Sequence, residues 1–167
     1  MEVSIKSISL LGALVLTGLS AGLFYAWSVS VIPGTKRIGD LPYLQTMQSI
    51  NRAILNPSFF VIFFGSILLL GIATLYEFQT SRLTFGLMLT AAVLYLVGTI
   101  GVTGMGNVPL NNELDVLNIV ECSSTQLSDF RKYYESKWNQ LHAIRTVFAV
   151  LSFLLAVLAI LIDSKRL

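Results

Sequence analysis

Four stretches of this sequence carry no charged residue, and their lengths limit what the chain can fold into. They are residues 7–35, 53–76, 83–112 and 146–162. A helix needs about 20 apolar residues to cross a hydrocarbon core ~30 Å thick, and the last stretch reaches that length with the flanking residues 141–145. Because a helix satisfies its own backbone hydrogen bonds in lipid, the pattern predicts four transmembrane helices, at about residues 8–32, 57–76, 83–106 and 141–162.

Composition agrees with a membrane protein and excludes several other classes. Of the 167 residues, 54% are hydrophobic and 12% are charged, whereas a soluble domain carries roughly 25% charged residues. The length leaves no room for a separate soluble domain, so we expect a single integral membrane domain over residues 1–167, with the lipid bilayer as its main partner. The net charge of +2 is small and scattered, which argues against nucleic acid as a partner. Cys122 is the only cysteine, so no internal disulfide and no CxxC zinc or redox site can form.

The first apolar segment is longer than the hydrophobic region of a cleaved signal peptide, which has about 7 to 15 residues. We therefore expect it to be retained as the first helix. Four spans place both termini on one side of the membrane, together with the short turn of residues 77–82. Lys6, Arg82, Lys165 and Arg166 concentrate positive charge on that side, and the positive-inside rule then predicts cytoplasmic termini.

The two longer loops contain helical patterns of their own. In the first loop, apolar residues recur with helical spacing from Leu44 to Ile54, and Asn56-Pro57 marks a bend before the second span. The sequence of the second loop, residues 107–140, predicts short helices near 110–120 and 127–139. The latter is expected to merge into the fourth span. The predicted fold class is therefore all-α, a four-helix transmembrane bundle with short amphipathic helices in the two longer loops.

Polar residues from three segments are predicted to meet at the loop side of the membrane. The segments are NRAILNP, GNVPLNN and WNQLHAIR. Trp138, His142 and Arg145 are spaced by four and three residues, so they share one helical face. Ionisable residues within a membrane segment indicate a functional site. His142 is the only histidine and can exchange a proton near neutral pH, while Arg145 disfavours the imidazolium. We therefore predict His142 as a catalytic base, assisted by Arg145.

Polar residues around this pair are predicted to form the rest of the site, an apolar pocket for a lipophilic small molecule. The candidate binding residues are Asn51, Arg52, Asn56, Asn107, Asn111, Asn112, Trp138 and Asn139. Other interpretations stay open. Asparagines beside glycine or proline often cap helices or form turns, Trp138 could anchor at the membrane interface, and Arg52 or Arg145 could snorkel to lipid phosphates.

The sequence predicts no metal and no cofactor. Catalytic zinc usually takes three protein ligands, and haem would depend on His142 as its axial ligand with no second histidine to help. The sequence also lacks a Walker loop, a dinucleotide-binding fingerprint and a Gly-x-Ser-x-Gly elbow.

Four segments in order, GLFYAWSVSVIPG, MQSINRAILNPSFF, GNVPLNNELD and WNQLHAIRT, resemble the anthrone oxygenase-like membrane family, whose bacterial members are mostly catalogued as a domain of unknown function. The resemblance implies a small four-span protein. The fungal members oxidise an anthrone to an anthraquinone without an obvious metal or flavin motif. The bacterial-type pattern is the closer match and implies the bacterial inner membrane. The matching positions are Asn51, Arg52, Asn56, Pro57, Asn107, Pro109, Asn111, Asn112, Trp138, Asn139, His142 and Arg145.

Two functions from different classes follow as hypotheses. The first is a cofactor-independent oxygenase or related oxidoreductase that acts on an aromatic or quinone-like lipophile, with His142 as base and with Arg145 and the asparagine amides stabilising an oxyanion. The second is a non-catalytic membrane protein that binds a lipophile or supports a partner complex. In that case the polar cluster only holds the helices together. Either function is compatible with a homo-oligomer.

Overall fold

The computed structural model describes residues 5–164, which form helices and no strand. This confirms the predicted all-α class. Four of the helices are long and apolar enough to cross a membrane. In chain order the helices are α1 Ile5–Thr35, α2 Asp40–Ala53, α3 Pro57–Phe78, α4 Arg82–Asp115 and α5 Ser124–Asp163, of which all but α2 are membrane-spanning candidates.

The four long helices close into a bundle. Helices α1 and α4 each pack against both α3 and α5. Alanines such as Ala13, Ala91 and Ala149 are fully buried between them, and small residues let helices approach closely in membranes. Large apolar side chains cover the outside; Leu75 is 72% exposed and Phe78 is 68% exposed. An apolar outer surface of this kind suits a lipid environment.

One end of the bundle holds a buried ionic cluster. Lys6 Nζ of α1 lies 3.0 Å from Glu77 Oε1 of α3 and 2.8 Å from Asp163 Oδ1 of α5. Thr84 of α4 donates a hydrogen bond to the same Glu77 carboxylate. The first and last described turns therefore lie beside the α3–α4 turn, as the sequence predicted. Of the cations used to predict orientation, Lys165 and Arg166 lie outside the described residues.

A second apolar layer covers the opposite end. It is formed by α2, the last turns of α4 and the first turns of α5, and α5 begins with a capping box between Ser123 and Gln126. Tyr43 of α2 is 2% exposed in this layer, and burial raises the pKa of its hydroxyl, so the ring is uncharged. Helix α2 is the amphipathic helix predicted in the first long loop. Of the helical segments predicted in the second loop, the one near 127–139 is part of α5, whereas the one near 110–120 is helical only as far as Asp115, where α4 ends.

The long helices extend further than the sequence predicted. Helix α1 continues through Pro33 to Thr35, and α4 continues through Pro109 to Asp115, although we expected these helices to end near residues 32 and 106. Wide π-helical turns precede both prolines, at Trp27–Val31 and Thr103–Asn107. Each proline then falls in the first turn of the next α-helical segment, where its missing N–H is tolerated. The stretch predicted to leave the membrane as a loop is therefore a helix that lines the site.

Candidate functional site

A cavity of about 190 Å³ lies where the bundle meets the second apolar layer. Its apolar walls include Leu23, Phe24, Trp27 and Phe59. The cavity brings together seven of the predicted site residues, from α2, α4 and α5. They are Asn51, Arg52, Asn111, Asn112, Trp138, His142 and Arg145.

His142 is 1% exposed, and both of its ring nitrogens have partners. Nδ1 lies 3.2 Å from Arg145 Nε and 3.0 Å from Arg145 Nη2. A guanidinium can only donate, so Nδ1 must be the unprotonated acceptor and the ring proton lies on Nε2. Nε2 donates to the carbonyl oxygen of Phe24 at 3.1 Å and lies 3.0 Å from Ser28 Oγ. The structure therefore assigns one neutral tautomer to the imidazole.

Aromatic rings hold the imidazole in place. The Trp138 ring stacks on His142 at a centroid distance of 5.1 Å and an angle of 7°. The Phe24 ring packs edge-on against the imidazole, with 6.0 Å between the ring centroids. The Trp27 and Trp138 ring centroids are 5.7 Å apart. Trp138 is 3% exposed, so it is a wall of the site and the alternative of a membrane-interface anchor was wrong.

Arg145 is buried as well, at 8% exposure. Its Nη1 lies 3.3 Å from Thr103 Oγ1, and its Cζ lies 4.7 Å from the Phe24 ring centroid and 5.0 Å from that of Trp138. Cation–π contacts of this kind stabilise a desolvated guanidinium. Over residues 5–164, no carboxylate forms an ion pair with Arg145. Its burial also excludes the alternative that Arg145 snorkels to the lipid surface.

An amide network forms the polar end of the cavity. Asn51 Nδ2 donates to the Tyr134 hydroxyl at 3.0 Å, and that hydroxyl donates to Asn111 Oδ1 at 3.1 Å. The same oxygen accepts from Trp138 Nε1 at 2.9 Å. These bonds connect α2, α4 and α5, and they fix the aromatic wall. At the rim, exposed Arg52 pairs with Asp115 at 2.6 Å.

Comparison with known protein families gives one match. The model of a family described as anthrone oxygenase matches residues 58–155, which is more than half of the chain. The chain belongs to the anthrone oxygenase family. Neither the search of curated proteins nor the search of solved structures found a match. The anthrone oxygenase model covers α4 and the part of α5 that carries His142 and Arg145, whereas α2 precedes the matched residues.

Three predicted binding residues of this anthrone oxygenase family member lie outside the cavity lining. Asn56 caps α3, because its Oδ1 accepts from the Phe59 backbone N–H at 3.0 Å; the turn-forming alternative accounts for it. Asn107 is 1% exposed, and its amide donates to the carbonyl oxygen of Trp138 at 3.3 Å, which joins α4 to α5. Asn139 is half-buried on α5. Spacing in the sequence could not distinguish these positions from their cavity-lining neighbours.

The sequence analysis missed several residues that contact the histidine–arginine pair. Phe24 and Ser28 contact His142, Thr103 contacts Arg145, and Trp27 completes the aromatic wall. A signal for part of this set was present, because Phe24, Trp27 and Ser28 are spaced by three and one residues on one face of a charge-free helix. Which residues of other helices they contact had no signal in the sequence.

Within the described part of this family member, no three His, Cys, Asp or Glu residues lie close enough together to hold a metal ion. The cavity presents uncharged amides, the Thr103 hydroxyl, the neutral imidazole of His142 and the Arg145 guanidinium between aromatic rings, with the Arg52–Asp115 ion pair at its rim. Such a set can orient a flat apolar molecule, accept a proton and stabilise a negative oxygen atom.

Proposed function

We propose that this protein is a membrane oxygenase that acts on a lipophilic aromatic molecule with an acidic C–H group conjugated to a carbonyl. Family membership supports this proposal at the level of the reaction class. The observation that carries it is the contact between a neutral His142 and a buried Arg145 on one wall of an aromatic cavity. The two groups supply the base and the oxyanion stabiliser that such a reaction needs.

The proposed chemistry uses dioxygen as the oxidant, with anthrone as the model substrate. The base removes one proton from the CH₂ carbon, and the negative charge is delocalised onto the carbonyl oxygen. The carbanionic carbon then donates electrons to dioxygen and forms a C–O bond, which gives a hydroperoxide after protonation. Loss of the second C–H proton with cleavage of the O–O bond leaves a new carbonyl group and one water. Each anthrone consumes one dioxygen and gives one anthraquinone.

Arg145 controls access to the base in this proposal. The lone pair of His142 Nδ1 accepts from Arg145 Nε and Nη2, so it cannot take a substrate proton in this arrangement. When the substrate oxygen accepts these donors instead, Nδ1 becomes free. The Arg145 donors that leave Nδ1 then stabilise the enolate oxygen of the substrate. Binding of the oxyanion and release of the base therefore occur together.

The arrangement of His142 also favours a second candidate, the non-catalytic protein. The imidazole and guanidinium satisfy each other, and through Phe24 and Thr103 they tie α5 to α1 and α4. In this alternative the protein holds a lipophile in the cavity and does not convert it.

Oxygen uptake by the purified protein in detergent with anthrone separates the two candidates. The oxygenase predicts equal molar consumption of oxygen and formation of anthraquinone. His142→Asn keeps an acceptor near Arg145 but removes the base, so the rate should fall by about 10² or more with little change in melting temperature. Asn118→Ala, on the exposed loop before α5, is the matched control and should keep the rate. Full activity in His142→Asn would exclude His142 as the base, and a bound lipophile without oxygen uptake would support the second candidate.

We also propose that the chain is a single integral domain in the bacterial inner membrane, with cytoplasmic termini. Lys6 and Arg82 lie at the end of the bundle that holds the first and last described turns, and the opposite loop contains Val120, which is 84% exposed. In a Cys122→Ser background, Val120→Cys should react with a membrane-impermeant maleimide added to spheroplasts. Reaction only after lysis would reverse the orientation.

A further inference from the structure

Arg145 is a buried cation that lacks a counter-ion in the described residues, and it lines the cavity. We infer that the cavity takes its ligand as an anion: an aromatic ring that bears an acidic oxygen, such as a phenol, an enol or a carboxylic acid, whose oxyanion binds the Arg145 guanidinium. This inference rests on the proposed function and narrows its substrate class.

The other charged groups close to the cavity have partners of opposite sign. Asp115, at the rim, lies 2.6 Å from Arg52. In the layer above the cavity, Arg131 lies 3.1 Å from Asp40 and 2.9 Å from Glu135. Burying a cation without a partner is costly. An anionic ligand is therefore the group that would neutralise Arg145, the cation of the cavity wall that has no carboxylate partner in the described residues.

The guanidinium also has hydrogen-bond donors to spare. It carries five N–H groups. Nε and Nη2 each bond to His142 Nδ1, and Nη1 bonds to Thr103 Oγ1. One N–H on Nη1 and one on Nη2 have no acceptor within residues 5–164. Two spare donors can bind the two oxygens of a carboxylate or one shared oxyanion.

The cavity walls select an aromatic anion over an aliphatic one. The Phe24 and Trp138 rings flank the guanidinium at 4.7 and 5.0 Å. The volume of about 190 Å³ is somewhat larger than a cavity of about 150 Å³ that admits benzene. One substituted ring therefore fills the enclosed part beside Arg145.

Further rings of a larger ligand have an exit toward lipid. Leu23, Leu55 and Val108 line the cavity and are 36%, 65% and 40% exposed on the outside of the bundle. On the polar side, the Nδ2 group of Asn111 has no acceptor among the described residues and can donate to a second oxygen of the ligand. We therefore expect the acidic ring to lie inside and an apolar extension to reach the bilayer.

Tryptophan fluorescence tests this inference without turnover, because Trp27 and Trp138 are the two tryptophans of the chain and both line the cavity. The probes are 4-bromobenzoate, its neutral counterpart 4-bromobenzamide, and 6-bromohexanoate as an aliphatic, lipid-like acid. Bromine quenches the fluorescence of a ring that it contacts. We expect saturable quenching by 4-bromobenzoate, with a dissociation constant at least tenfold below those of the other two probes.

Variants identify the group responsible for the preference. Arg145→Gln should remove the preference for the acid over the amide, Arg145→Lys should keep part of it, and Lys36→Gln, an exposed cation at the same end, should keep all of it. If Arg145→Gln does not fold, the comparison of wild type with Arg145→Lys still decides.

Equal binding of acid and amide by the wild type would overturn the inference. Equal binding of both acids would overturn its aromatic part and indicate a lipid anion. Because no turnover is measured, an inactive protein that prefers 4-bromobenzoate would refute the oxygenase chemistry alone.

Discussion

Arg145 donates two hydrogen bonds to Nδ1 of His142, from Nε at 3.2 Å and from Nη2 at 3.0 Å. The two residues are three positions apart on α5 and share one helical face. Since the guanidinium has no acceptor, this contact requires a neutral imidazole whose proton lies on Nε2. The state of the single histidine is therefore set by its neighbour one turn away.

Nitrogen NMR can test this tautomer directly. The chain has one histidine, so ¹⁵N-histidine labelling of untagged protein gives one imidazole. We expect an unprotonated Nδ1 and a protonated Nε2 at neutral pH. Arg145→Met removes the donors to Nδ1 and should lower the fraction of the Nε2-protonated tautomer, which the bond to the Phe24 carbonyl oxygen still favours. A protonated Nδ1 in the wild type would be incompatible with the observed contact.

Asn111 is the central acceptor of the amide network, and we predict that replacing it destabilises the protein. Asn111→Leu leaves the Trp138 indole N–H and the Tyr134 hydroxyl without their shared acceptor. An unsatisfied buried donor costs about 1 to 3 kcal/mol, so we expect a melting temperature several degrees lower in detergent. Asn112→Leu, one residue further along and exposed, is the control and should change the free energy of unfolding by less than about 0.5 kcal/mol. Similar losses in both variants would mean that the network is not stabilising.

The sequence was sufficient for the fold because charge-free length and helical periodicity are local properties. It was also sufficient for the inner part of the site, where Trp138, His142 and Arg145 share one face of a single helix. It was insufficient where the outcome depends on contacts between helices. Asn56 and Asn111 have similar local surroundings, yet one caps α3 and the other accepts two hydrogen bonds in the cavity wall. The π-helical turns that carry α1 and α4 through their prolines also had no periodic signal.

Close packing of α4 against α5 predicts that one glycine of α4 cannot be replaced. A methyl group on Gly98 would come within 2.0 Å of Phe148 Cγ, whereas one on Gly104 would meet no atom within 4 Å. Overpacking typically costs about 1 to 3 kcal/mol, so Gly98→Ala should lower the melting temperature clearly. Gly104→Ala is the matched control in the same helix and should be neutral or slightly stabilising, since alanine favours helix by up to about 1 kcal/mol over glycine. Equal melting temperatures would show that Phe148 can move aside at no cost.

The ionic cluster at the other end of the bundle predicts strong coupling between Lys6 and Glu77. Glu77 is 1% exposed and one of its carboxylate oxygens lies 3.0 Å from Lys6 Nζ. Lys6→Met therefore leaves a buried carboxylate that, among residues 5–164, keeps only its bond from Thr84. Breaking a buried ion pair by removing one partner costs about 3 to 5 kcal/mol. Removing both charges with Lys6→Met and Glu77→Gln together should cost much less than the sum of the single variants.

A double-mutant cycle measured by unfolding in detergent gives the coupling free energy of this pair. Asp163, the other partner of Lys6, is 14% exposed at its side chain and keeps some contact with water, so its lost pairing adds little to the double variant. The exposed pair of Arg52 and Asp115, with side chains 64% and 49% exposed, is the control; Arg52→Gln should cost less than about 1 kcal/mol. Additive single-variant effects at Lys6 and Glu77 would mean that water screens the pair. In that case the cluster would not be what holds α1 against α3 at this end of the bundle.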